Sequence, residues 1–306
     1  MTKTFGRLCD QSAVRQLQLD DLTLTYIVDG AMAMVPGRFL SSIPASHWQL
    51  HGSDLNAEGL VAMSAGGLLV ERAGHRLLID TGLGPVTDDN GTMRSNSGDL
   101  LKVLAAVGVS ACDIEIVALT HLHPDHTGWA FADADSGPGK PIFPEAQYVL
   151  ADAEMATLND SAGRSYSSDV NALSNSLRHM SSLTLIGDGD EVAPGVVAMV
   201  TPGHSPGHTS YIVMSQSGQR VVVFGDVFHT PAQITNITWT SDPDSDPSAV
   251  PGARERVLAD LATTGTLGFA FHFGDQPFGR VVAGADAQLT WEAVATTALL
   301  PPPRQL

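Results

Sequence analysis

The stretch ALTHLHPDHTGW, residues 118–129, places three histidines and one aspartate within six positions, directly after an apolar run. In an extended segment His121 and His123 point to the same side, and two neutral imidazoles can chelate one metal ion. Asp125 and His126 lie just beyond a proline, where the chain must turn, and they could reach a second ion. Two ions roughly 3.5–4 Å apart can activate a shared hydroxide, so the stretch predicts a dinuclear hydrolytic site.

Further polar residues stand where other apolar runs end. Asp80 ends RLLID, His204 follows VAMVTPG, Asp226 ends VVVFGD, and His272 interrupts FAFHF. Loops at strand ends are where layered folds commonly position their chemistry. We therefore expect these residues to meet the histidine cluster at one site.

The pattern of apolar residues predicts a mixture of strands and helices. GLVAMSAGGLLVERAGHRLLIDTG predicts two strands joined by a turn near Gly74, and SYIVMSQSGQRVVVFGD predicts a hairpin. SGDLLKVLAAVGV predicts an amphipathic helix, and residues 251–263 predict another. Strict βαβ alternation is missing, and no glycine fingerprint follows a strand. These features favour a layered α/β domain with mainly antiparallel sheets.

Composition limits the classes of partner. The chain has 16 lysines and arginines against 33 acidic residues, a formal net charge of −17, so nucleic acid is not expected as a partner. No apolar window approaches the roughly 18 residues that a membrane span needs. The N-terminus lacks the apolar region of a secretory signal, and Cys9 and Cys112 are far apart. We therefore expect a cytoplasmic protein without a disulfide scaffold.

Together, the motifs resemble those of the metallo-β-lactamase superfamily. THLHPDHTG is similar to the HxHxDH signature of that family. LLIDTG at 77–82, TPGHSPGHTS at 201–210 and FGD at 224–226 are similar to its first, third and fourth motifs, and the strand around His272 to its fifth. The resemblance covers residues 60–280, in matching order and spacing. It implies a single domain over the whole chain of 306 residues, with a four-layer αβ/βα sandwich of mostly antiparallel sheets and the metals at one edge.

The resemblance also implies which residues bind metal. It implies one ion held by His121, His123 and His204, a second held by Asp125, His126 and His272, and Asp226 as the bridge between them. Zinc is the expected metal, although the same ligands accept manganese, cobalt or iron.

Two more residues of these motifs are interpreted as supporting the ligands. Asp80 matches an acid that orients ligands, and a ligating imidazole does need an acceptor for its far N–H. His208 follows His204 by four positions. We interpret it as supporting structure, because in the family the first histidine of that motif binds the metal.

Within the superfamily, the resemblance is nearest to lactonases and methyl parathion hydrolase-like proteins. True β-lactamases lack the bridging aspartate, so Asp226 argues against antibiotic hydrolysis. Acyl-homoserine lactonases place a tyrosine three residues after that aspartate, where this chain has His229. If His229 faces the cleft, it could donate to a developing oxyanion. The alternative is a surface histidine in a loop.

The predicted activity is hydrolysis by a metal-bridging hydroxide. The expected substrate is a small lactone, such as an N-acyl homoserine lactone, or a related ester, with Asp125 accepting and passing on a proton. One alternative is a phosphotriesterase or arylesterase. Another is a tailoring enzyme that uses the same metal site for non-hydrolytic chemistry, which redox-active iron and oxygen consumption would favour.

Segments outside the motifs are candidates for the substrate pocket. Residues 1–59 form an N-terminal extension that could include a lid, and its apolar candidates for the pocket are Met32, Met34, Phe39 and Trp48. Packing into the core or into a homodimer interface is an equally open alternative. Phe228 and Trp239 follow Asp226 and could line the same cleft. The run SDPDSDP, residues 241–247, is interpreted as a solvated turn.

Overall fold

Two large β-sheets face each other in the computed structural model, which describes residues 2–132, 138–160, 168–284 and 287–306. In chain order the strands are β1 (Lys3–Thr4), β2 (Val14–Leu19), β3 (Leu22–Met34), β4 (Val61–Arg72), β5 (His75–Ile79), β6 (Thr87–Asp89), β7 (Met93–Ser97), β8 (Ile116–Ala118), β9 (Phe131–Ala132), β10 (Lys140–Pro141), β11 (Gln147–Ala151), β12 (Leu183–Ile186), β13 (Glu191–Ala193), β14 (Val196–Val200), β15 (Thr209–Met214), β16 (Arg220–Val223), β17 (Leu267–Phe269), β18 (Phe278–Ala283), β19 (Leu289–Ala293) and β20 (Thr296–Leu300). The helices are α1 (Pro36–Phe39), α2 (Ala45–Leu50), α3 (Leu100–Ala106), α4 (Pro124–Thr127), α5 (Asp152–Asp160), α6 (Ser168–His179), α7 (Ala232–Thr235) and α8 (Val250–Leu261).

The first sheet has the strand order β1-β20-β2-β3-β4-β5-β8-β11-β12, with β7 added to β3 and β6 to β7. The second has the order β13-β14-β15-β16-β17-β18-β19. Among the described strands, the parallel pairs are β5 with β8, β8 with β11, β11 with β12, and β16 with β17. The remaining pairs are antiparallel, which confirms the prediction of mostly antiparallel sheets.

The main core lies between the two sheets. Leu68 and Leu78 from the first sheet and Tyr211 and Val223 from the second belong to one buried apolar cluster. Helix α3 packs on β3, α5 on β11, and α8 on β16 and β18. Helices therefore cover the sheets from outside, which gives the predicted four-layer αβ/βα sandwich.

Most elements predicted from the sequence are present. Strands β4 and β5 are joined at Gly74, whose φ of 91° suits a residue without a side chain. Helices α3 and α8 and the β15–β16 hairpin also confirm their predictions. The strand expected around His272 is shorter than predicted: β17 ends at Phe269, three residues before His272. The chain then turns at Gly274, which has a φ of 51°, and this loop carries His272.

The first 59 residues contribute strands to the first sheet and then two short helices outside it. Strands β2 and β3 are integral to the first sheet, whereas α1 and α2 follow it and contribute to a separate apolar cluster. Among the described residues, no helix is long and apolar enough to cross a membrane.

Candidate metal centre

Loops that leave neighbouring strands bring the predicted metal ligands together. His121 and His123 follow β8, and a proline at the first position starts α4, which carries Asp125 and His126. The other three follow strands of the second sheet: His204 after β14, Asp226 after β16 and His272 after β17. The site therefore lies at one edge of the sandwich, between the two sheets.

The first group comprises His121, His123, His204 and Asp226, whose donor atoms all lie within 4.8 Å of one another. His204 Nε2 lies 2.9 Å from His123 Nδ1 and 3.3 Å from Asp226 Oδ2. His121 Nε2 is 3.9 Å from the same carboxylate oxygen. Three imidazole nitrogens and one carboxylate oxygen are a donor set that zinc commonly takes.

The second group comprises Asp125, His126, Asp226 and His272, again within 4.8 Å. His126 Nε2 and His272 Nε2 are each 3.1 Å from Asp226 Oδ1 and 3.6 Å from Asp125 Oδ2. Asp226 thus directs Oδ1 at the second group and Oδ2 at the first. This is the placement that a carboxylate bridging two ions requires.

Unpaired atoms at the centre test whether metal ions fit. Nε2 of His121, His126 and His272 and Oδ1 of Asp226 are buried and have no hydrogen-bond partner in the part of the chain that the structure describes. Buried polar atoms without partners are costly, so natural proteins rarely keep them together. Because these atoms converge on two points, two divalent ions would satisfy all of them.

The far nitrogens of the candidate ligands are held by hydrogen bonds. Asp80 Oδ2 lies 2.7 Å from His126 Nδ1, and its carboxylate also accepts the backbone N–H and the hydroxyl of Thr120. Asp80 adopts a φ of 62°, which a residue with a side chain rarely does. Such strain is typical of functional sites. The structure therefore places Asp80 where an orienting acid would lie.

Asp244 holds His204 in the same way, and the sequence analysis missed it. Its Oδ1 lies 2.9 Å from His204 Nδ1, and its Oδ2 accepts the backbone N–H of Ser241. The interpretation of residues 241–247 as a solvated turn is therefore wrong for Asp244, which is buried. Its neighbour Asp242 is exposed, as expected of such a turn.

The family model of the metallo-beta-lactamase superfamily matches residues 67–276. The chain belongs to the metallo-beta-lactamase superfamily. This membership agrees with the resemblance found in the motifs.

Several N-acyl homoserine lactonases are similar to this chain in sequence. The enzyme of Bacillus cereus is 25% identical over 205 residues, which cover 61% of this chain and 75% of the relative. N-acyl homoserine lactonase AiiA of Bacillus thuringiensis subsp. kurstaki is 27% identical over 210 residues, with the same coverage of 61% and 75%.

Solved structures share the fold over almost the whole chain. AidC, a dizinc quorum-quenching lactonase, superposes with a TM-score of 0.78 at 23% identity, covering 93% of this chain and 98% of AidC. The hydrolase AbOPH gives a TM-score of 0.76 at 23% identity, covering 92% and 98%. These likenesses confirm the metallo-beta-lactamase fold.

Burial and neighbouring carboxylates shift the pKa values of the candidate histidine ligands in opposite directions. Burial lowers the pKa of His121 well below its ordinary value and that of His123 to about 4, so both imidazoles are neutral at pH 7. Burial also disfavours the charged form of His204, but hydrogen bonds to Asp226 and Asp244 outweigh it and raise the pKa of His204 to about 9. A metal ion would therefore displace a proton from His204 on binding.

His208 lies beside the metal groups rather than in them. Its Nε2 accepts the backbone N–H of Asp226 at 3.0 Å, and its Nδ1 lies 2.9 Å from Thr201 Oγ1. Gly225 permits this contact, because a Cβ there would lie 2.5 Å from His208 Nε2. The placement is that of a support for the turn that carries Asp226.

His229 faces the cleft. It is buried, its Nε2 lies 3.1 Å from Asp226 Oδ2, and its ring stacks on His272 with a centroid distance of 5.6 Å. The alternative of a surface loop histidine does not match this placement.

A cavity of about 250 Å³ opens over the metal groups. One wall is formed by His229 and by five of the ligand candidates, His123, Asp125, His204, Asp226 and His272. Apolar side chains form the other: Met32, Met34, Phe39, Met63, Leu83 and Met93. No lysine or arginine lines it among the described residues. Three of the pocket candidates from the sequence, Met32, Met34 and Phe39, thus lie on the cavity.

The other three pocket candidates lie elsewhere. Trp48 and Trp239 pack against the apolar cluster that backs the cavity wall, without lining the cavity itself. Phe228 is fully buried against Phe224 in the apolar layer between the second sheet and α8. The expectation that Phe228 lines the cleft is therefore wrong, because its ring fills the core on the other side of the Asp226 turn.

Removal of the Asp244 carboxylate is expected to weaken zinc binding. We expect Asp244→Ala to lower zinc affinity by roughly 10–100-fold, because His204 loses the acceptor that orients it. Competition with a chromogenic chelator measures this affinity. Asp242→Ala, in the same loop but exposed, is the matched control and should bind zinc normally. Equal affinities for the two variants would contradict the role of Asp244.

Proposed function

We propose that this protein is a dinuclear metal-dependent hydrolase that opens a lactone ring or cleaves a related ester. The observation that carries the proposal is the pair of ligand groups that share Asp226 at the base of an apolar cavity. Bound divalent ions, zinc in this proposal, supply an activated water and polarise the substrate oxygen.

Residues of the chain itself would position the substrate and move protons. Asp125 borders the cavity, where its carboxylate can accept a proton from an attacking water and pass it on. His229 also borders the cavity, where an N–H could stabilise negative charge that develops on a substrate oxygen.

The character of the cavity supports a neutral substrate with an apolar substituent. Its wall contains four methionines, whose flexible side chains adapt to the shape of an aliphatic group. Because no lysine or arginine lines it in the described structure, an anionic phosphate would find no such side chain there to pair with. The curated relatives named as N-acyl homoserine lactonases favour a lactone of that type.

We further propose that the segment holding α1 and α2 acts as a lid. Phe39, at the end of α1, lines the cavity. The carbonyl of Phe39 accepts the backbone N–H of Asp242 at 2.8 Å, and Ser42 Oγ donates to the carbonyl of Thr240 at 2.7 Å. The lid is therefore tied to the same loop that carries Asp244.

Proton release on adding a medium-chain N-acyl homoserine lactone tests the proposal. Ring opening converts an ester into a carboxylic acid that ionises, so a pH-stat should record one proton for each lactone opened. We expect a chelator to abolish the release and added zinc to restore it. The matching open-chain N-acyl homoserine should release none. Absence of release from protein shown to hold two ions would exclude this lactone.

A neutral phosphotriester or aryl ester is the second candidate substrate. The absence of lysine and arginine from the described cavity wall fits an uncharged triester as well as a lactone. Turnover of a chromogenic triester faster than of any lactone would favour this candidate. Iron in the purified protein together with oxygen consumption would instead favour non-hydrolytic chemistry.

A further inference from the structure

Behind the metal centre, three buried side chains form a closed set of hydrogen bonds. His229 Nδ1 lies 2.9 Å from Ser241 Oγ, and Ser241 Oγ lies 2.9 Å from Gln233 Nε2. Gln233 Oε1 accepts the backbone N–H of His229 at 2.7 Å, which closes the set. All three side chains are at most 4% exposed, so bulk water does not substitute for these partners.

The orientation of the Gln233 amide is fixed by its neighbours. The backbone N–H of His229 can only donate, so it must face the amide oxygen. The carbonyl of Trp239, 3.1 Å away on the other side, can only accept, so it must face the amide nitrogen. The second N–H of Gln233 then donates to Ser241 Oγ.

This orientation decides where the proton of Ser241 lies. Because Ser241 is buried and Gln233 Nε2 can only donate, the hydroxyl hydrogen of Ser241 needs another acceptor. Among the described residues, His229 Nδ1 is the hydrogen-bond partner left to accept it. His229 Nδ1 then carries a lone pair, and the ring hydrogen sits on Nε2. Asp226 Oδ2, 3.1 Å from that Nε2, is an acceptor. The contacts of both ring nitrogens therefore indicate the same tautomer.

We propose that Ser241 and Gln233 are positioning residues that fix His229 as the Nε2–H tautomer. In that tautomer His229 is a hydrogen-bond donor directed at the metal centre and cannot act as a further metal ligand through Nε2. An N–H held in this way is set to donate to an oxygen of a substrate bound in the cavity. This step alone rests on the proposed function, whereas the assignment of the tautomer does not.

Nitrogen-15 NMR on zinc-loaded protein labelled at histidine tests the assignment directly. Long-range proton–nitrogen correlation spectra distinguish the protonated ring nitrogen from the bare one, and His229→Gln identifies the signals of His229. We expect the Nε2–H pattern in the wild-type protein. Ser241→Ala should produce a mixture of tautomers, Ser241→Thr should restore the wild-type pattern, and Ser245→Ala, an exposed serine in the same loop, should leave it unchanged.

Kinetic and metal measurements on the same variants complete the test. We expect Ser241→Ala to keep two zinc ions, to lower kcat by roughly tenfold and to leave KM within about twofold, because donation is needed only as charge develops. An Nδ1–H or doubly protonated His229 in the wild type would overturn the proposal, as would an unchanged tautomer in Ser241→Ala. A confirmed tautomer in a protein that neither opens a lactone nor cleaves a related ester would support the assignment and refute the proposed function.

Discussion

Replacement of Asp226 by alanine is expected to remove both metal ions and to lower kcat/KM by roughly 10⁴-fold or more, a loss of at least about 5.5 kcal/mol of transition-state stabilisation. The reason is that both ligand groups share this one side chain. Its Oδ1 lies 3.1 Å from the Nε2 atoms of His126 and His272, and its Oδ2 lies 3.3 Å from His204 Nε2. Elemental analysis of the purified variant and steady-state kinetics measure the two effects.

Asp226→Asn distinguishes a bridging role from a purely structural one. An asparagine keeps one oxygen but presents an N–H₂ group on the other side, which cannot bind a metal. We expect this variant to retain at most one tightly bound ion, whereas Asp242→Ala should retain two. Two tightly bound ions in Asp226→Ala would contradict the shared-ligand arrangement.

The parts of the site that could be predicted are those encoded locally. His121, His123, Asp125 and His126 lie within six positions, so one turn after β8 is enough to converge them. Residues at the ends of apolar runs could also be predicted, because buried strands end where the run ends. The four-layer sandwich followed from the order of the motifs, through the resemblance to a known family.

The parts that could not be predicted depend on register or on distant packing. Met63 and Met93 join the cavity wall because β3 pairs Met32 with Met63 and Met34 with Met93. Nothing in the local sequence sets that register. Asp244 lies in an acidic, proline-containing run that resembles an ordinary surface turn, and only its contact with His204, 40 positions away, distinguishes it.

Arg254 illustrates the same limit, because arginine is a residue type that is rarely buried completely. The structure buries it completely on α8, where Nε donates to the carbonyl of Val227 at 2.8 Å and Nη1 donates to that of Ile237 at 2.9 Å and to that of Trp239. Burial lowers the pKa of Arg254 to about 10, so the guanidinium stays charged at pH 7. This side chain joins the turn after Asp226 to the loop that leads to Ser241 and Asp244.

Arg254→Met is expected to lower the free energy of unfolding by about 3–5 kcal/mol, because the buried carbonyl of Val227 and the partly buried carbonyls of Ile237 and Trp239 lose this donor at once. Urea denaturation of the metal-free protein measures the loss without the added stability that a bound ion gives. Arg256→Met is the matched control, because Arg256 lies two positions further along α8 and its side chain is 45% exposed. Its ion pair with Asp188 should contribute at most about 1 kcal/mol to stability. Arg254→Lys keeps the charge but not the planar set of donors, so its stability should fall between those of the wild type and Arg254→Met. If Arg254→Met and Arg256→Met shifted the urea midpoint equally, the guanidinium would not be what joins the two segments.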